Sequence, residues 1–87
     1  MDKAEIQKLF ESNRLGEADA LLCDNALAQD PWALFMRGRI AWKRGDKSAA
    51  ISFYTSAAAI DQTSEAAVAL AQATEVMNFF NKDLYNP

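Results

Sequence analysis

The chain of 87 residues contains no histidine, one cysteine, two prolines and three glycines. Without histidine it lacks the commonest general base and the commonest metal ligand. A single cysteine, Cys23, excludes an intramolecular disulfide and suits a reducing compartment. Helix-breaking residues are few, and the 51% of hydrophobic residues are rich in alanine, the best helix former. These features predict a folded, helical domain.

Other absences argue against membrane-embedded and secreted classes of protein. The longest apolar run, Ala66 to Ala71, is six residues, far short of the roughly 20 that a membrane-spanning helix needs. The beginning of the sequence has no basic segment followed by an apolar one, as a signal peptide would. We therefore expect a soluble, cytoplasmic protein that does not bind membranes.

Catalysis and nucleic-acid binding are also poorly supported. The sequence has no cysteine cluster, glycine-rich phosphate loop or zinc-protease motif, so we expect no enzyme activity, no cofactor and no metal. Its twelve carboxylates stand singly, on predicted polar faces or at predicted helix starts. The net charge of −3 disfavours contact with phosphate backbones, although basic residues cluster between Arg37 and Lys47. We therefore expect no binding of nucleic acid.

Hydrophobic spacing and turn residues predict five helices, at about residues 3–11, 16–28, 31–44, 47–60 and 65–81, before an irregular tail at 82–87. Asp2 and Asp30 are the expected N-caps of the first and third helices, and Pro31 suits the first helical position. Gly45 is expected to end the third helix. Thr63 or Ser64 is expected to cap the fifth.

The second helix is predicted to pack through one apolar stripe, formed by Ala18, Leu21, Leu22 and Ala26. Cys23 lies beside this stripe, and we interpret it as a small packing residue rather than a nucleophile, since no base is recognisable nearby. Helices this short, joined by turns of a few residues, form antiparallel neighbours.

The sequence also repeats itself. The segment from Asn13 to Ala18 parallels the segment from Gly45 to Ala50 at a shift of 32 residues. A period in this range, with one helix–turn–helix per unit, is typical of a helical solenoid. The unit at residues 31–64 resembles the 34-residue tetratricopeptide repeat through Leu34, Gly38, Gly45-Asp46, Ala50, Tyr54, Ala57 and Asp61.

The resemblance implies an all-α fold in which antiparallel helical hairpins stack as a short right-handed tetratricopeptide-like solenoid. Residues 1–87 would form a single domain: a divergent first repeat at about 3–29, the best-matching repeat at 31–64, a capping helix at 65–81 and the tail. The sequence departs from the family at three positions. Arg37 replaces a usual leucine, Ala41 a usual tyrosine, and Gln62 a common proline.

In the tetratricopeptide family, the first helix of each unit lines a concave groove that binds other polypeptides. The residues that the resemblance places in or near this groove are Trp32, Phe35, Met36, Arg39, Trp42 and Lys43. Aromatic side chains and arginine are enriched at protein interfaces. The resemblance thus implies a non-enzymatic module that binds a peptide segment or a partner helix with apolar anchors and flanking acidic residues.

One subgroup of the family grips the carboxylate of chaperone tails with a basic clamp. Lys3 and Gln7 imitate its first part, but the later positions, among them Trp32 and Ala66, are apolar. Binding of acidic chaperone tails is therefore not expected.

Two alternatives remain open from the sequence. The tryptophans of the third helix either form a contact surface or pack against the first and fifth helices. The chain also either binds a partner or assembles as a homodimer that buries the groove or the tail, where Phe79, Phe80, Leu84 and Tyr85 lie. Two repeats with a cap fall below the roughly three repeats that independent stability usually requires, which favours assembly. Arg37, on the far side of the third helix, is expected to pair with Asp19 or Asp24.

Overall fold

The structure, a computed structural model, describes residues 2–80, with side chains through residue 76. Within these residues, five α-helices follow one another: α1 (Lys3–Glu11), α2 (Leu15–Leu22), α3 (Pro31–Lys43), α4 (Lys47–Ile60) and α5 (Glu65–Phe80). A short 3-10 turn at Asn25–Leu27 separates α2 from α3. The predicted all-α class is confirmed for the described part of the chain, which contains no strand. The predicted tail at 82–87 and the last predicted helical residue, Asn81, lie outside the described residues.

Acidic caps begin three of the helices. Asp2 accepts a hydrogen bond from the Glu5 amide at 3.2 Å, and Asp46 accepts one from Ala49 at 3.1 Å. Asp30 starts α3, and its Oδ1 accepts from the amides of the second and third helical residues at 2.9 and 3.2 Å. These bonds satisfy amides that have no partner within the helix.

The two repeated turns share an unusual backbone. Asn13, between α1 and α2, has φ of 63°, and Gly45, between α3 and α4, has φ of 85°. Both residues adopt the left-handed conformation that asparagine and glycine tolerate best. The sequence repeat at a shift of 32 residues is therefore matched by the same turn geometry in both hairpins.

Helix α2 is shorter than predicted. The sequence predicts a helix over 16–28, whereas α2 ends at Leu22. Asp24 adopts an extended conformation, and its Oδ1 accepts from the Ala26 amide at 2.9 Å, which starts the 3-10 turn. A side chain that bonds its own backbone two residues on competes with helix continuation.

This early end corrects the predicted stripe of α2. Ala18 and Leu22 are buried, but Leu21 is 44% exposed and Ala26 is also exposed. Cys23 is exposed too, so its interpretation as a packing residue was wrong. Helix α5 begins at Glu65, as predicted. In the turn before it, the hydroxyls of Thr63 and Ser64, the two residues predicted as alternative caps, both donate to Asp61, at 2.7 Å each.

The core runs through all five helices and is richest on α3. Its largest fully buried side chains are Ile6, Leu22, Met36 and Ile40. Alanines at the contact surfaces, such as Ala50 and Ala57 of α4, are completely buried and let the helix backbones approach closely. Consecutive helices pack against each other, and α3 with α4 forms the most extensive pair.

Arg37 links α3 to α2 on the side away from α5. Its Nε lies 3.5 Å from Asp19 Oδ1, which confirms the first of the two predicted partners. Its guanidinium also lies over the Phe53 ring of α4, at 4.6 Å.

Candidate protein-binding groove

Helices α1, α3 and α5 lie side by side and run in the same direction. At their N-terminal ends, Lys3 Nζ is 5.2 Å from the centre of the Trp32 ring. Towards their C-terminal ends, Lys43 Nζ is 4.7 Å from the centre of the Phe10 ring. Glu65, in the first turn of α5, lines a cavity together with Trp32. We call the surface formed by these three helices the groove.

The larger cavity of the groove has a volume of about 560 Å³ and lies between α3 and α5, with α4 beneath it. Its lining is mainly apolar and aromatic: Phe35, Arg39, Trp42, Tyr54, Glu65, Ala69, Gln72, Ala73 and Val76. Small residues on α5 leave the space that the aromatic side chains of α3 border. A concave apolar surface with a few polar groups is typical of a ligand site.

A second cavity, of about 430 Å³, lies at the N-terminal end of the groove. Lys3, Trp32 and Phe35 line it together with Asp61 and Glu65. Phe35 and Glu65 border both cavities, so the two are adjacent parts of one concave surface.

Both tryptophans of α3 combine packing with exposure. Trp32 and Trp42 are half-buried and contact the core, and each also lines one of the two cavities. The two alternatives left open by the sequence are thus not exclusive, because each indole contacts the core and also borders open space. Lys47 Nζ lies 5.3 Å from the centre of the Trp42 ring, so a cation from α4 covers part of this indole.

Phe35 and Met36 are more deeply buried than the two tryptophans. Phe35 is 9% exposed, and its ring packs against Tyr54 at 5.9 Å between centroids while still lining both cavities. Met36 is fully buried, so a ligand in the groove does not reach it. Its predicted role as a contact residue is corrected: it supports the groove from below, where its sulfur accepts a hydrogen bond from Arg39 at 3.6 Å.

Arg39 is the central charged group of the groove. Its guanidinium lies 4.3 Å from the Phe10 ring centre and 5.6 Å from that of Phe35, so two aromatic faces hold it in place. Lys43 is exposed, and its Nζ lies 4.7 Å from the centre of the same Phe10 ring. Within residues 2–76, neither cation forms an ion pair with a carboxylate. Both therefore remain available to an acidic group of a ligand.

Tyr54 also lines the larger cavity. Burial raises the pKa of this phenol above its ordinary value of 10.0, and the nearby Arg39 guanidinium opposes that rise. Tyr54 is therefore neutral at physiological pH, and its hydroxyl is available as a hydrogen-bond donor or acceptor.

The basic cluster from Arg37 to Lys47 does not form one patch. Arg39 and Lys43 belong to the groove, whereas Arg37 and Arg44 line a cleft on the opposite side, where Asp19 and Asp46 lie beside them. The described residues therefore present no continuous basic stripe of the kind that binds nucleic acid.

Several residues that lie in or beside the groove were not predicted as contact residues, among them Phe10 of α1, Lys47 and Tyr54 of α4, and Glu65 of α5. Each belongs to a helix other than α3, so the helical spacing within α3 does not reveal them. The repeat pattern marks Tyr54 as a packing residue, but its place beside the cavity depends on α5. The sequence pattern indicated Lys47 only as a member of the basic cluster.

Among residues 2–80, no group of histidine, cysteine and acidic residues is arranged to hold a metal ion. No helix in that part of the chain is long and apolar enough to span a bilayer. No family model, no curated protein and no solved structure matches this chain.

Proposed function

We propose that this protein is a short, right-handed, tetratricopeptide-like solenoid of two repeats and a capping helix, which binds a segment of another polypeptide in the groove. The observation that carries the proposal is the larger cavity, where Trp42 and Phe35 border an apolar space beside Arg39. A non-enzymatic, protein-binding role accounts for this open aromatic surface.

The chemistry of the groove suits a polypeptide ligand. Half-buried aromatic rings with a neighbouring arginine are the groups that dominate the binding energy of protein interfaces. A ligand with apolar side chains would fill the space beside Ala69 and Ala73 of α5. Its acidic side chains would pair with Arg39 or Lys43, which are not paired with carboxylates of the described residues.

A peptide selection tests the proposal. Linear random peptides of about 12 residues, displayed on phage, are selected for binding to the full chain. The only two tryptophans of the sequence, Trp32 and Trp42, both line the groove, so their fluorescence reports its occupancy. We expect selected peptides to shift this fluorescence with micromolar affinity.

Two variants test whether the selected peptides bind in the larger cavity. Trp42→Ala removes an aromatic wall of the larger cavity, and we expect it to weaken peptide binding by at least tenfold, as truncation of an aromatic anchor usually does. Leu21→Ala is the matched control, because Leu21 is an exposed apolar side chain on α2, away from the groove. Circular dichroism verifies that both variants are folded. Equal loss of binding in both variants would contradict the proposal.

Self-association is the alternative function. Ile60 and Val68, near the junction of α4 and α5, are 44% and 60% exposed, and a second copy would cover such residues. Molar mass, measured by light scattering across a hundredfold range of concentration, separates the two functions. A monomer throughout leaves the groove open to a partner, whereas a stable dimer makes assembly the better explanation.

A further inference from the structure

The two ends of the groove carry opposite charge. At the end where α1 and α3 terminate, Arg39, Lys43 and Lys47 surround Trp42 and Phe10. No carboxylate lines the small cavity of about 180 Å³ that Phe10, Arg39, Trp42, Lys43 and Tyr54 form there, within the described part of the chain. This end of the groove is basic.

At the other end, three carboxylates surround Trp32. Asp30, Asp61 and Glu65 line the second cavity, and Lys3 is the one cation among its lining residues. Asp61 is ionised at neutral pH, and hydrogen bonds from the hydroxyl and the amide of Thr63 lower the pKa of its carboxyl further, below the ordinary value of 3.8. This end is acidic.

The helix dipoles oppose this arrangement but are too small to cancel it. Three helices point their N-termini, each equivalent to roughly half a positive charge, at the acidic end. Their C-termini place a similar negative charge at the basic end. The side chains carry full charges, three basic ones at one end and a net excess of two acidic ones at the other. At each end, the side-chain charge is therefore larger than the opposing charge from the helix dipoles. This holds although one of the acidic side chains, Asp30, also caps α3.

The distance between the ends suits a short segment. Trp32 and Trp42 are ten residues apart on one helix, which corresponds to about 15 Å along its axis. An extended chain covers that distance in about five residues. Apolar side chains between the charges would meet Phe35 and the small residues of α5 that lie between the two tryptophans.

We infer that the groove selects a segment with a fixed charge polarity: an acidic residue at the Trp42 end, apolar residues in the middle and a basic residue at the Trp32 end. This inference rests on the proposed function and adds the chemistry and the orientation of the ligand. The opposite orientation would bring like charges together at both ends, which disfavours it.

The test uses the selected peptides in two versions. One is the peptide as selected, and the other has its acidic and basic residues exchanged, so that composition and apolar residues stay the same. We expect the selected peptides to carry their acidic and basic residues on opposite sides of the apolar ones. We also expect the exchange to weaken binding by about tenfold or more at low salt, and by less at high salt, where surface charges are screened.

A charge-reversed protein provides the reciprocal measurement. The variant combines Lys43→Glu, Lys47→Glu and Glu65→Lys, and we expect it to prefer the exchanged peptide. The matched control combines Lys8→Glu, Arg14→Glu and Glu17→Lys, which changes the net charge by the same amount. These three side chains are exposed and line neither cavity of the groove, so the original preference should persist.

The outcomes separate the inference from the proposed function. If both peptide versions bind equally well and both lose affinity in Trp42→Ala, the polarity is overturned and the groove function stands. If no selected peptide depends on Trp42, the groove function fails and the polarity with it. A preference that inverts in the charge-reversed variant supports both.

Discussion

Gly38 shows how one missing side chain shapes the hairpin of α3 and α4. A Cβ at this position would lie 2.6 Å from Cδ1 of the Tyr54 ring and closer still to Cε1. The Tyr54 ring occupies this space because Gly38 leaves it free, and the Phe35 ring packs against it at 5.9 Å between centroids. The aromatic wall of the larger cavity therefore depends on a glycine that is itself buried.

We expect Gly38→Ala to lower the free energy of unfolding, by up to about 2 kcal/mol. Alanine favours the helix by about 1 kcal/mol over glycine, but overpacking of a buried contact costs about 1–3 kcal/mol or more when a ring must move. Urea denaturation followed by circular dichroism measures the difference. A shift of the Tyr54 ring would also change the larger cavity.

Gly16→Ala is the control for that prediction. A Cβ at Gly16 would meet only Arg44 Nη2, at an ordinary contact distance of 3.7 Å, so the helix preference for alanine should raise stability by about 0.5 kcal/mol. Equal effects of the two substitutions would show that the Tyr54 contact does not constrain residue 38.

The raised pKa of Tyr54 predicts that the stability of the fold depends on pH. Burial raises its pKa in the folded state above 10.0, against the smaller opposing effect of Arg39. Between the unfolded and folded pKa values the folded chain holds more protons than the unfolded chain, so stability falls as the pH rises. The contribution of the neutral Tyr54 phenol to stability is fully present below about pH 10 and is lost at higher pH.

Tyr54→Phe keeps the ring and removes the ionisable group. We expect its stability to fall less steeply than that of the natural chain between pH 9 and 11, as measured by urea denaturation at each pH. The other ionisable residues are the same in both proteins, so the difference isolates Tyr54. Parallel curves would contradict the prediction.

At the scale of the elements, the start of α3 positions both the tryptophans and Arg39. Asp30 Oδ1 bonds two amides of the first turn, and Pro31 follows it. We expect Asp30→Ala to destabilise the fold by about 1 kcal/mol through loss of this cap, whereas Asp30→Asn keeps the acceptor and most of the stability. Thermal unfolding measures both. Equal losses would indicate that the negative charge of Asp30, rather than the hydrogen bonds, is what matters.

The elements also show where sequence patterns succeed and where they fail. Helices α1 and α4 begin and end at the predicted residues, because caps and turns act within a few residues of the chain. Helix α2 ends early because Asp24 bonds the Ala26 amide, and this local bond outweighs the apolar spacing that continues beyond it. The pair Asp24-Asn25 is typical of such a turn, but the regular spacing of alanines and leucines around it predicts a helix.

At the scale of the whole molecule, the question is whether the five helices are stable alone. A domain of this size buries a smaller share of its surface than a larger one. The core nevertheless runs from Ile6 of α1 to Ala73 of α5 and connects all five helices. A fold in which the terminal helices join the common core is expected to be stable as a monomer.

We therefore expect the unfolding midpoint to be independent of protein concentration. Thermal unfolding is followed by circular dichroism from about 1 to 100 μM. An obligate dimer would show a midpoint that rises with concentration, because its dissociation is part of unfolding. Such a rise would contradict the open groove and favour the homodimer.

The amino-acid sequence by itself determined the helical class, the helix number and most helix ends. Alanine content, apolar spacing, and residues such as Asp30 and Gly45 act locally, so they can be recognised without knowledge of distant parts of the chain. It also identified α3 as the element that carries Trp42, Arg39 and Lys43.

Only the tertiary structure decided which of these residues line the groove. Met36 and Arg39 are three residues apart on one helix, yet one is buried and the other lines the groove. The contributions of Phe10, Tyr54 and Glu65 depend on how α1, α4 and α5 pack against α3. Exposure and charge at the groove arise from contacts between residues far apart in the sequence, and a local pattern does not contain them.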